Sequence, residues 1–258
     1  MTDTVLYETQ GAVASITLNR PDSLNSFDLD MRLDLISATT EAKEDPTIRA
    51  VVLTGAGRCF SAGADLKAGF KTGAEVEKML LQEYKVSLMH LAEMDKPVIS
   101  AINGFAAGIG LSYAMICDLS IMSENAFLLS PFSTIGLIPD GGATWLLVNG
   151  MGSKRAYEIA IENERVSAQK CLDMGIVNRI VADDVLVATA QEWAESLAKK
   201  APLALARTKK MMRQVSSLSY SEAITHEAAL QHLCLESKDS HEGIAAFLEK
   251  REAQFIGE

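Results

Sequence analysis

Val5, Tyr7, Ala14, Ile16 and Leu18 alternate with neighbours of opposite character on the two sides of Gly11. A period of two predicts strands over 4–9 and 12–18. Arg20-Pro21-Asp22-Ser23 breaks that pattern, and Asp28 caps a helix whose apolar positions Met31, Leu33, Leu35 and Ile36 lead to Lys43. Val51-Val52-Leu53-Thr54, ended by Gly55 and Gly57, reads as a buried strand feeding a loop. A long helix is expected over 73–94, a strand over 97–101, a small-residue helix over 106–115, and strands over 119–122 and 126–128. Pro139-Asp140-Gly141-Gly142 is a turn that opens a helix through Trp145. Helices over 153–162 and 167–174, with Ser167 as N-cap, and a strand over 177–181 complete the alternating part. From Asp183 onward the pattern is helical throughout, over 183–199, 202–214, 218–236 and 239–253. Strands and helices alternating up to residue 182, followed by a helical tail, define an α/β core with a helical C-terminal module.

That tail carries Leu230, Leu233, Leu235, Ile244, Phe247 and Phe255, more apolar positions than a short appendage needs. Docking on the core or on another subunit is therefore expected. The chain of 258 residues is 48% hydrophobic and 22% charged, ordinary globular composition for one large domain with or without a small appendage. Its net charge of −10 and the absence of a Lys/Arg-rich run argue against a nucleic-acid partner. Cys59, Cys117, Cys171 and Cys234 share no metal-ligand spacing and have apolar neighbours, which suits reduced thiols and no metal site. The stretch MTDTVLYETQ lacks the pattern of a signal peptide, and no apolar run reaches the ~20 residues needed to span a bilayer. A cytoplasmic protein without a membrane partner is expected.

Two segments share a design. Cys59-Phe60-Ser61-Ala62-Gly63-Ala64-Asp65-Leu66 and Phe105-Ala106-Ala107-Gly108-Ile109-Gly110-Leu111 each follow a strand and lead towards a helix. Small residues let backbone N–H groups approach a ligand, and two such loops side by side could hold an oxyanion. For either loop alone, tight strand–helix packing by Gly and Ala is the favoured account. The phosphate-loop pattern is absent, and Gly108-Ile109-Gly110 lacks a third glycine, which disfavours ATP and NAD.

These segments resemble the crotonase superfamily, the enoyl-CoA hydratase/isomerase family, over nearly the whole chain. Arg20-Pro21-Asp22-Ser23-Leu24-Asn25 is similar to the family's RPxxxN segment. Residues 60–67 resemble its first oxyanion-hole motif, 97–108 its second, and Gly136-Leu137-Ile138-Pro139 the segment before its third catalytic loop. The resemblance implies an α/β crotonase-like spiral of ββα repeats with an all-helical C-terminal trimerisation module. Residues 1–200 would form the acyl-CoA-binding catalytic core, and 201–258 the oligomerisation module of a homotrimer or dimer of trimers. It further implies an acyl-CoA thioester as ligand, with coenzyme A part of the substrate and no separate cofactor.

Ala64 and Ile109 match the positions whose N–H groups hold the thioester oxygen; the second is usually Gly in the family. Leu24 and Ala62 would lie near adenine. Asp65, Leu66 and Phe132 also fall at matching substrate-site positions, while Phe247 and Lys250 match residues that contact CoA across subunits. Taken locally, Asp65 reads as an N-cap or loop brace and Lys250 as an exposed helix charge. Hydratases of the family carry two Glu residues where this chain has Ser112 and Phe132. Asp140 is the carboxylate left in a matching catalytic loop, as in isomerase members that include the ring-opening isomerases of phenylacetate catabolism, and as in hydrolytic dehalogenases. From the local pattern alone, Asp140 caps the helix beginning near Gly141. The resemblance makes it the acid/base of an enoyl-CoA isomerase. A hydratase-like activity, a hydrolase or dehalogenase using Asp140, and a non-catalytic acyl-CoA-binding protein are the alternatives.

Overall fold

The computed structural model describes residues 3–69 and 72–258. Met1 and Thr2, which open the N-terminal stretch discussed above, lie outside the described residues, as do Phe70 and Lys71. Strands β1 (Val5–Gln10) and β2 (Val13–Leu18) pair antiparallel across Gly11 with Val5 opposite Leu18. Helix α1 (Leu29–Glu44) follows, with the Asp28 carboxylate accepting from Met31 N, and leads into β3 (Ala50–Gly55). Helices α2 (Gly73–Met79) and α3 (Lys85–Glu93) are joined by one π turn over Leu80–Tyr84. Then come β4 (Val98–Ile102), β5 (Ala106–Ala107), α4 (Ile109–Ile116), β6 (Leu119–Ser123) and β7 (Phe127–Leu129).

The main sheet runs β1-β2-β3-β4-β6-β9, with β9 spanning Arg179–Val181, and every pair after the first is parallel. Strands β3 and β4 are buried at every position, as a sheet covered on both faces requires. Alternation along β3 sends Val51 and Leu53 to the larger core with α1, α3 and α4. Ala50 and Val52 face the other way, onto Leu186, Ala190 and Ala194 of a later helix. The resulting α/β architecture, with its helical C-terminal region, agrees with the expected spiral.

Ala106 and Ala107 are the main departure from the expected elements. They form a strand beside Leu128 and Leu129, not the first turn of a helix. Gly108, at φ 57 and ψ −131, separates strand from helix. Small apolar residues fit either element, so only this backbone break sets the boundary. A second sheet β5-β7-β8 results, where β8 is the two-residue Val166–Ser167.

Helices α5 (Ala143–Met151), α6 (Ser153–Glu162) and α7 (Ala168–Asp173) complete this part. Helix α8 (Leu186–Ala198) covers the second face of the main sheet. Helix α9 (Pro202–Gln214) is bonded to the core: Lys209 Nζ reaches Asp118 at 2.7 Å and the Leu91 carbonyl at 2.9 Å, and Arg213 reaches Asp118 at 2.8 Å. Helices α10 (Tyr220–Leu235) and α11 (Lys238–Glu249) follow and leave Tyr220, Phe247 and Leu248 84%, 82% and 74% exposed. None of the described helices is long and apolar enough to cross a membrane.

Candidate active site

The first loop leaves β3 and is fixed by backbone pairing. Phe27 N donates to the Gly63 carbonyl at 2.8 Å, and Asp65 N donates to the Phe27 carbonyl at 3.0 Å. Ala64, bridged to Phe27, thus turns its own N–H away from that pairing. Ala62 N donates to the Leu24 carbonyl at 2.9 Å, so two of the residues expected at the substrate are joined directly. Asp65 acts as the expected brace. Its carboxylate accepts from Lys67 N at 3.1 Å and pairs with Arg20 at 3.2 Å, while Arg20 also holds Asp28 at 2.9 Å. Leu66 opens the short 3-10 turn Leu66–Ala68 and is exposed.

The second loop lies against the first. Ser61 N donates to the Phe105 carbonyl at 3.2 Å, and Ala107 N returns a bond to the Ser61 carbonyl at 2.9 Å. A Cβ on Gly63 would stand 2.8 Å from the Ala107 carbonyl oxygen and 3.4 Å from Gly108 Cα, so glycine is what lets these backbones touch. Ile109 is the first residue of α4, where N–H groups lack intrahelical partners. The N–H groups of Ala64 and Ile109 donate to no described residue. Phe27, stacked on Tyr113 at 4.9 Å, and Tyr84 form an aromatic floor next to the first loop.

Asp140 comes from a third direction. Gly141 and Gly142, at φ 58 and 81, turn the chain into α5. Gly142 occupies the N-cap position, and no side chain caps the helix, so the local reading of Asp140 as cap is incorrect. The capping contact is made by the Asp140 backbone carbonyl, which accepts from Ala143 N at 3.0 Å. Its side chain is thereby left for other work. Asp140 Oδ1 is buried without a hydrogen-bond partner, and burial pushes the carboxyl up from 3.8 to about 6.

Ser112 and Phe132, expected from the resemblance to stand where hydratases carry their two acids, are both buried. Ser112 Oγ donates to the Asp140 carbonyl at 2.9 Å. The Phe132 ring tip lies 4.0 Å from where a Cβ on Gly108 would be, so this ring packs beside the second loop. Ile109 does not reach outward: its Cδ1 fills the space a Cβ on Gly141 would need. Next to Gly141 and Gly142 is an apolar cavity of about 320 Å³, walled by Leu80, Leu81, Leu88, Met89, Trp145 and Leu146. The roles of Ser112 and of this wall were not legible in the sequence; the Gly141-Gly142 pair next to Asp140 was the available signal for a tight turn.

Phe247 lines a separate cavity of about 650 Å³ among α9, α10 and α11, which shares no lining residue with the one near Asp140. Lys250 ends α11 in the left-handed conformation and is exposed. Within one chain these two residues are therefore not gathered with the loops. Burial pushes the Cys59 and Cys117 thiols to about 11 and about 12, which makes both poor nucleophiles.

A family model described as enoyl-CoA hydratase/isomerase matches residues 8–258. The chain is 36% identical to the 1,2-epoxyphenylacetyl-CoA isomerase of Escherichia coli K12, covering 100% of both chains. It is 33% identical to the 2,3-dehydroadipyl-CoA hydratase of the same organism, covering 96% of each. The crystal structure of an enoyl-CoA hydratase from Bacillus anthracis superposes with a TM-score of 0.94 at 32% identity, over 99% of this chain and 100% of that one.

Proposed function

The chain belongs to the enoyl-CoA hydratase/isomerase family, and on that premise we propose that it isomerises an unsaturated acyl-CoA with Asp140 as the single acid/base. The observation that carries this reading is an Asp140 carboxyl whose Oδ1 is buried and unpartnered, at a site where the resemblance puts Ser112 and Phe132 at the other two acid positions. The thioester oxygen lies between the N–H groups of Ala64 and Ile109, which stabilise the charge that grows when the α-carbon loses its proton. Each such donor contributes about 2.7–4 kcal/mol in a dry site. Asp140 takes the proton from C2 of a 3-enoyl-CoA, leaving a dienolate, and returns it to C4. One carboxylate suffices because the group that removes the proton also restores it. A carboxyl at about 6 suits this, being ionised near neutrality yet still a competent proton donor.

The acyl chain occupies the apolar cavity against Leu88, Met89 and Trp145. Adenine lies near Leu24 and Ala62, with Asp65 and Leu66 shaping that side. The reaction as written needs no metal or redox group, and coenzyme A arrives as part of the substrate. Homotrimers, or dimers of trimers, cover the exposed apolar residues of α10 and α11 and bring Phe247 and Lys250 to a neighbour's CoA. Conversion in ordinary water of a 3-enoyl-CoA deuterated at C2 tests the proton transfer: the wild type carries deuterium to C4 and Asp140→Asn does not. Deuterium reaching C4 at equal rates in both proteins refutes the role of Asp140.

Hydration of a 2-enoyl-CoA is the second reading, favoured by the likeness to the 2,3-dehydroadipyl-CoA hydratase. Against it, Phe132 cannot hold a water, and the Ser112 hydroxyl donates its proton to the Asp140 carbonyl.

A further inference from the structure

Asp140 Oδ1 is buried without a hydrogen-bond partner, so the reach of the carboxylate depends on the backbone that carries it. That backbone has two attachments at the Asp140 carbonyl. One is Ala143 N at 3.0 Å, within the turn itself, and the other is Ser112 Oγ at 2.9 Å, from a different element. Ser112 is completely buried and stands three residues after Ile109 on α4, hence on the same helical face. On that face Ile109 Cδ1 fills the gap over Gly141, and Ser112 Cβ and Oγ each lie 3.0 Å from where a Gly141 Cβ would be. The first turn of α4 thus presents the Ile109 N–H at its start and grips the Asp140 turn one step later.

We propose that Ser112 is a positioning residue that ties the Asp140 turn to α4 and so fixes the reach of the carboxylate relative to the Ile109 N–H. The inference rests on the reading of Asp140 as the base. Without the Ser112 bond the carbonyl keeps its Ala143 partner, so no acceptor is orphaned. The turn is then free to shift away from α4, and a displacement of about 1 Å costs on the order of 10²-fold in rate.

The test is a cycle of Ser112→Ala, Asp140→Asn and the double variant, with isomerisation measured per acyl-CoA-binding site so that unfolded protein does not count. Ser112→Ala is expected to lower kcat by about 10–10²-fold with KM little changed. In the Asp140→Asn background the same change is expected to leave the residual rate unaltered, because the carboxylate it positions is gone. Should Ser112→Ala fail to fold, Ser112→Cys keeps a side chain of similar shape with a weak donor, and a smaller fall in kcat at constant KM is expected. Wild-type kcat in the folded variant, or an equal further loss in the Asp140→Asn background, overturns the inference. If Asp140→Asn is inactive while Ser112→Ala is normal, the positioning role alone falls. If Asp140→Asn itself turns over at the wild-type rate, the reading of Asp140 falls and takes the inference with it.

Discussion

The Cδ1 of Ile109 occupies the space that any side chain at position 141 would take, so the start of α4 and the Asp140 turn are packed in direct contact. Gly141 meets two demands at once, a φ of 58 and room for Ile109. Gly141→Ala is expected to cost about 1–3 kcal/mol from the backbone conformation alone. Displacing Ile109 or the turn should lower turnover as well. Thermal unfolding and isomerase kinetics on the one variant check both; unchanged values for each would show that the contact is slack.

A second expectation concerns pH. The Asp140 carboxyl lies at about 6 in the folded chain against an ordinary 3.8. Between those values the folded state holds a proton that the unfolded state has released, so stability falls as pH rises through that window. Asp140→Asn removes the burden of a buried charge. It should stabilise the protein near neutrality, by at most about 3 kcal/mol, and make little difference below about pH 4. The wild-type kcat/KM should rise with pH and level off above about 6, once the base is ionised. Melting curves across pH for both proteins decide this; a variant less stable than wild type at neutrality would contradict it.

Much of this site could be read from the chain because its work is done by short backbone motifs. The Asp28 cap, the buried strand before Gly55 and the two small-residue loops are local, and local chemistry is legible. Ala106 and Ala107 form a strand where the sequence predicts a helix, because small apolar residues carry no period and the pairing with Leu128 and Leu129 comes from distant sequence. The π turn at Leu80–Tyr84 lies inside an otherwise regular helical pattern and leaves no mark on it. Ser112 stood out only as a missing acid. Its bond to the Asp140 carbonyl joins residues 28 positions apart and is visible only in three dimensions.

The Ala64 N–H stands outside the Phe27 pairing, which uses the Gly63 carbonyl and Asp65 N. Ala64→Pro therefore deletes a donor without breaking that bridge. Turnover should fall by about 10²–10³-fold with the melting temperature nearly kept. An active Ala64→Pro variant would show that this N–H does not serve the reaction.

Assembly is a separate matter. Tyr220, Phe247 and Leu248 are large apolar residues left 84%, 82% and 74% exposed on α10 and α11 of a single chain. Such a surface calls for a protein partner, and the expected partner is a second and third copy. Light scattering at micromolar concentration should give three or six times the chain mass. A monomer would remove the proposed contribution of Phe247 and Lys250 to a neighbour's CoA.

The most direct test compares two reactions on two proteins. Rates of double-bond shift in a 3-enoyl-CoA and of water addition to a 2-enoyl-CoA are measured for the wild type and for Asp140→Asn. The wild type should isomerise faster than it hydrates, and Asp140→Asn should lose about 10²–10⁴-fold of the isomerase rate while remaining folded. Faster hydration than isomerisation, or full isomerase activity in Asp140→Asn, would contradict a single-carboxylate proton shuttle at Asp140.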